Sequence, residues 1–116
     1  MALDPMLEPQ LKSINIPLTD LEGELATISY GDERHQCVMF TCPHPTCNHS
    51  HVVPYSSEGG KTRHTRVWKR ISGKTIEDIT LAPSYLAKCG RCIVHCMIQK
   101  GVVRLLSGSQ APATVW

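Results

Sequence analysis

The residues of this chain best suited to chemistry are its six cysteines: Cys37, Cys42, Cys47, Cys89, Cys92 and Cys96. They concentrate in two clusters. The first runs Cys42-Pro-His-Pro-Thr-Cys47, and the second runs Cys89-Gly-Arg-Cys92-Ile-Val-His95-Cys96. Short turns containing Pro, Gly and His bring thiolates a few residues apart onto one ion, and zinc takes four such ligands tetrahedrally. Cys42 and Cys47 form one natural pair. In the second cluster two pairs compete, Cys89 with Cys92 as C-x-x-C and Cys92 with His95 as C-x-x-H. A shared ion would close a long loop between the clusters and so restrict the unfolded chain.

The other residues near the clusters are expected to be bystanders. His44, His49 and His51 read as loop histidines. Cys37 and Cys96 read as core thiols, because free cysteine packs as a small hydrophobe. The site is expected to be structural rather than catalytic. A shell filled by thiolates and an imidazole leaves no open position for water. Neither H-E-x-x-H nor an H-x-E followed by P-C-x-x-C occurs. A redox dithiol at Cys89 and Cys92 would need a helix after it, whereas a β-rich run follows. No enzyme activity is therefore expected.

A second candidate surface is the basic stretch from Lys61 through Arg63, Arg66 and Lys69 to Arg70, which also holds Trp68. Clustered cations neutralise phosphates, and an exposed indole stacks on bases. The plainer expectation is a core Trp68 with solvated cations around it.

The elements that must position these groups read as strands. Glu24 to Tyr30 is a candidate strand before a Gly31-Asp32 turn. Gln36 to Thr41, Val52 to Tyr55 and Arg66 to Ile71 follow. Ser56 to Lys61 reads as a turn around Gly59-Gly60. Ile76 to Leu81 is expected to be extended. Ile93 to Ile98 and Val102 to Leu106 form a hairpin about Lys100-Gly101. Residues 1–20 carry Pro5, Pro9 and Pro17 and are expected to be an extended acidic arm, with residues 21–116 as a single zinc-binding β domain.

Composition fits a stapled small domain. The chain has 116 residues and only six Phe, Tyr and Trp. Such a thin core is usually reinforced by a disulfide set or a metal. The first 33 residues hold seven acids and one base, and the remainder hold eleven bases and three acids, so an acidic leader precedes a basic domain. This asymmetry points to a polyanionic partner, or to self-association through the arm. The N-terminal residues do not resemble a secretory signal, and no apolar run has the length of a membrane span. A cytoplasmic location is expected, and paired cysteines there are read as metal ligands rather than disulfides.

A resemblance adds to this reading. Thr80-Leu-Ala-Pro-Ser84, then Cys92-x-x-His95 and Gly101, resembles an uncharacterised family of short phage and bacterial proteins with a T-L-x-P-S, C-x-x-H and glycine-turn layout. Phe40-Thr-Cys42-Pro43 is similar to an upstream F-x-C-P in that family. The resemblance spans roughly residues 37–106. It implies Cys42, Cys47, Cys92 and His95 as the zinc ligands, leaving Cys89 as the rival for the fourth place. Together these readings give a mainly β, antiparallel, zinc-stapled domain with zinc-ribbon-like knuckles. The function expected is a non-enzymatic interaction module, phage- or prophage-encoded and acting in the host cytoplasm. It would bind a host or phage protein, for instance to inhibit a host defence, with nucleic-acid binding as the alternative.

Overall fold

A computed structural model describes residues 15–44, 47, 49–89, 92–106 and 109. Among these the chain is mainly β, as expected. The strands are β1 (Asn15–Pro17), β2 (Glu24–Tyr30), β3 (Glu33–Thr41), β4 (Ser50–Ser56), β5 (Gly60–Lys61), β6 (Arg66–Ser72), β7 (Thr80–Cys89), β8 (Cys92–Gln99) and β9 (Val102–Leu105), with one 3-10 turn at Leu18–Leu21. Along the sheet the order is β1-β9-β8-β7-β6-β4-β3-β2, and β5 pairs with β6 off this path.

Neighbouring strands are antiparallel except β4 and β6, which run parallel through Tyr55–Trp68 and Ser56–Lys69. A parallel pair cannot be joined by a tight hairpin and needs a crossover. Residues 57–65 supply it. This crossover reaches the β2–β3 turn, where Asp32 lies 3.7 Å from His64 and 3.8 Å from Arg63. Both contacts involve exposed side chains and contribute little to stability.

The core is built mainly from strand residues. Val38, Phe40, Val53, Ile79, Leu81, Val94 and Val103 are all buried in it. Strand β8 alternates strictly, with Cys92, Val94, Cys96 and Ile98 buried and the residues between them half-buried. A strand has a side-chain period of two, so His95 and Cys92 point to opposite faces. Strand β7 is less regular. Its pairing with β8 shifts between Leu81 and Tyr85, a bulge that accommodates Pro83 in an interior strand.

The expected arm is partly absorbed into the fold. Asn15–Pro17 pairs with β9, and Leu18 is fully buried in the core. Only residues 15–20 of that arm lie within the described part of the chain.

Gly101 joins several of these pieces. Lys100 and Gly101 have φ values of 49° and 75°, as a type I′ hairpin turn requires. Gly101 donates its N–H to the Ile79 carbonyl at 2.9 Å and accepts from the Leu18 N–H at 2.8 Å. A Cβ on residue 101 would collide with the Glu77 backbone carbonyl. Gly101→Ala therefore combines a left-handed-φ penalty with a backbone clash. It is expected to cost about 2–4 kcal/mol in chemical denaturation. An unchanged midpoint would contradict the turn geometry.

Candidate metal centre and an adjoining serine–histidine pair

The sheet brings four sulfurs together. Cys42 follows the last residue of β3, and Cys47 lies in the loop before β4. Cys89 and Cys92 face each other across the β7–β8 pair. The Sγ atoms of Cys42, Cys47, Cys89 and Cys92 all lie within 4.8 Å of one another. Cys89 Sγ is 3.4 Å from Cys42 Sγ and 3.5 Å from Cys47 Sγ. These separations are far beyond a disulfide bond, and all six cysteines are free thiols. They are close to the ~3.8 Å between sulfurs that a tetrahedral site with zinc–sulfur bonds of about 2.3 Å implies.

The loop between Cys42 and β4 is built to present sulfur. Cys42 donates its N–H to the His49 carbonyl at 2.7 Å, closing the loop at its base. Cys47 donates its N–H to the His44 carbonyl at 3.1 Å, and the His44 N–H points at Cys42 Sγ from 3.5 Å. On the other side, His51 Nε2 lies 3.2 Å from Cys89 Sγ, and its Nδ1 lies 2.9 Å from the Tyr85 hydroxyl. The group is continuous with the hydrophobic core, which includes Cys42, Cys89 and Cys92.

The electrostatics of the four thiols are uneven. Burial pushes Cys42 up. Burial and the neighbouring sulfurs push Cys89 up, and the same causes push Cys92 up to about 12. At Cys47 burial also pushes up, but bonds from His49 and the neighbouring thiols outweigh it and bring the thiol down to about 7. Four thiolates this close repel one another strongly, and a divalent cation among them removes that penalty. Thiolate sulfur is a soft donor and selects zinc or another thiophilic ion over magnesium or calcium.

The structure separates the two rivals for the fourth position. Cys89 stands in the cluster with Cys42, Cys47 and Cys92, and His95 lies outside it. The reason is strand parity: three residues from Cys92 along β8, the imidazole projects from the other face. The two remaining cysteines, Cys37 and Cys96, are fully buried in the core. His44 lies in the loop after β3 as expected, whereas His51 does not lie in a loop. Both are buried, and His51 belongs to β4, where it pairs with Phe40 of β3 and stacks on its ring at 5.2 Å. Burial pulls both imidazoles below their ordinary range.

His95 has a different neighbour. Its Nε2 lies 3.1 Å from Ser84 Oγ. Ser84 sits in the bulged part of β7, and both residues are half-buried. Each is held from behind. The Ser84 carbonyl accepts the Trp68 indole N–H at 3.2 Å. The hydroxyl of Ser109, itself fully buried, accepts from the His95 N–H at 2.9 Å and donates to the His95 carbonyl at 2.7 Å. A hydroxyl within hydrogen-bond reach of an imidazole is one of the features a nucleophile–base pair requires. Sequence reading placed His95 among metal ligands and gave Ser84 no role. The signal that could have found the pair was parity: on an extended strand, His95 must leave the face that carries Cys92.

The cations of the basic stretch have different neighbours. Lys61, Arg66 and Lys69 line a common groove with Gly59, Gly60 and Pro83. Arg63 turns to Asp32, while the Arg70 guanidinium donates to the Gly73 carbonyl at 2.9 Å. Trp68 is buried against Tyr85, with the Arg66 guanidinium 5.6 Å from its ring centre. The indole is therefore a core group and has no open face to offer a base.

Fold and site together define a small, mainly β domain with a four-cysteine cluster that could hold a metal ion. Comparison with protein-family models, curated proteins and solved structures gives no match. No helix among the described residues is long and apolar enough to cross a membrane.

Proposed function

We propose that this chain is a zinc-stapled β domain that transfers acyl groups, with Ser84 as nucleophile and His95 as general base. The observation that carries this reading is the 3.1 Å contact between Ser84 Oγ and His95 Nε2. Zinc belongs in the four-thiolate cluster, where a closed shell makes it structural. Its role is to fix the β7–β8 pair, and those two strands carry Ser84 and His95.

In the proposed reaction Ser84 Oγ attacks an ester or amide carbonyl while its proton passes to His95 Nε2. The carbonyl carbon–leaving-group bond then breaks, and the leaving oxygen or nitrogen takes that proton. Water hydrolyses the acyl-serine by the reverse use of His95, releasing the carboxylic acid and restoring Ser84. Leu86 lies on the same strand face as Ser84 and pairs with His95, and it is 63% exposed. An apolar group next to the scissile carbonyl suits that surface.

A fluorophosphonate probe tests this reading, because it reacts with an activated serine far faster than with an ordinary hydroxyl. The native chain should gain one phosphonyl group, mapped to Ser84 by peptide mass spectrometry. Ser84→Ala should gain none. A native, zinc-loaded chain that stays unlabelled at millimolar probe would overturn it.

The exposure of Leu86 and of Ile71 (54%) also favours a second reading, a non-enzymatic module that docks a protein partner. The resemblance to phage and bacterial proteins makes a host protein the natural candidate. In that case Leu86→Asp abolishes partner capture while Ser84→Ala leaves it intact.

A further inference from the structure

We infer that His51 is a positioning residue of the metal centre, donating Nε2–H to the Cys89 sulfur and accepting the Tyr85 hydroxyl at Nδ1. This inference rests on the four-cysteine metal reading and adds to it the direction of a buried hydrogen-bond chain.

The geometry sets the chain. His51 Nε2 is 3.2 Å from Cys89 Sγ, and His51 Nδ1 is 2.9 Å from Tyr85 Oη. His51 is buried, and its ring is stacked on Phe40 and meets Tyr85 edge-on at 5.5 Å. A ring so enclosed cannot turn to other partners. A metal-bound cysteine sulfur carries no proton and can only accept a hydrogen bond. The neutral imidazole therefore keeps its single proton on Nε2, and Nδ1 is left as an acceptor. The Tyr85 hydroxyl then has to donate. The order of donors runs from Tyr85 through His51 to Cys89 and is fixed by the ion at its end.

Two consequences follow for the molecule. An N–H donor on a thiolate removes some of its charge and holds it in position, as groups surrounding metal ligands do in general. The chain also links the metal to β7 at two points, Cys89 at its end and Tyr85 next to Ser84.

The test begins with native mass spectrometry of the full chain, where one zinc per molecule is expected. A folded, metal-free native chain would overturn both the metal reading and this inference. On the zinc-loaded chain, long-range proton–nitrogen NMR should show His51 protonated at Nε2. Protonation at Nδ1 would overturn the inference and leave the metal reading standing, and this readout needs no variant. Zinc transfer to a chromogenic chelator should be about 10-fold faster or more for His51→Phe. It should be nearly native for His51→Gln, whose amide can offer a donor at the same place. In the cobalt-substituted chain the thiolate charge-transfer band should shift in His51→Phe and return in His51→Gln. Native release kinetics and an unshifted band in a folded, metal-loaded His51→Phe would overturn the inference.

Discussion

Cys89→Ser is expected to abolish zinc retention and cooperative thermal unfolding as thoroughly as Cys42→Ser does, whereas His95→Ala leaves both nearly intact. Structural zinc contributes an apparent binding energy of about 10–16 kcal/mol in small domains, and that energy is folding energy. A domain with a thin core has a net stability of only about 5–15 kcal/mol, so it cannot lose most of this and remain folded. Cys89 is central to the cluster, with its sulfur close to those of both Cys42 and Cys47. It thereby ties the β7–β8 pair to the loop between β3 and β4. Serine is nearly isosteric but its hydroxyl is a poor zinc ligand at neutral pH. Zinc content by atomic absorption and melting by circular dichroism check the contrast. Equal damage from Cys89→Ser and His95→Ala, or damage from His95→Ala alone, would contradict it.

The second large effect concerns Ser84. If the hydroxyl is the nucleophile, Ser84→Ala should lower hydrolysis of an activated ester by about 10⁴–10⁶-fold, and His95→Gln by a similar factor. The double variant should be little worse than either alone, since the two groups act as one unit. Zinc content and melting temperature should stay close to native in all three variants, because neither side chain belongs to the metal cluster or to the fully buried core. A nucleophile can be distinguished from a structural hydroxyl in this way. A merely structural Ser84–His95 bond would shift the melting temperature and leave ester hydrolysis unchanged. Additive losses from the two single variants would also count against a working pair.

Parts of the fold were legible in the sequence for local reasons. Glu24–Tyr30 and the hairpin about Lys100-Gly101 emerge where expected, because residue type and turn chemistry agree there. Strand β7 was harder. Pro83 and a weak alternation hid it, and the stretch expected to be extended from Ile76 is a turn until Thr80. There the Asp78 carboxylate accepts the Lys74 and Thr75 N–H groups, a local bond that competes with strand pairing. The parallel β4–β6 pair was not legible at all. Partners across a crossover are chosen by packing, and no short pattern encodes that choice.

The site was legible to a similar degree. Cysteine clustering was enough to bring Cys42, Cys47 and Cys92 to one place, since knuckle spacing is a local property. The choice between Cys89 and His95 depended on whether residues 92–95 bend or run straight. They run straight, and the paired register Cys89–Cys92 places both sulfurs at the hairpin mouth. Trp68 is a further case. Its place among cations left a stacking surface as the alternative, and its burial against Tyr85, with a hydrogen bond to the Ser84 carbonyl, bears out the plainer expectation of a core indole.

The proposed centre has four sulfur ligands, with His95 beside Ser84 and outside the shell. Zinc K-edge X-ray absorption on the native, full-length chain tests it most directly. A single shell of four sulfur scatterers at about 2.3 Å is expected. A shell of three sulfurs with one nitrogen at about 2.0 Å would contradict it, because an imidazole would then be a ligand.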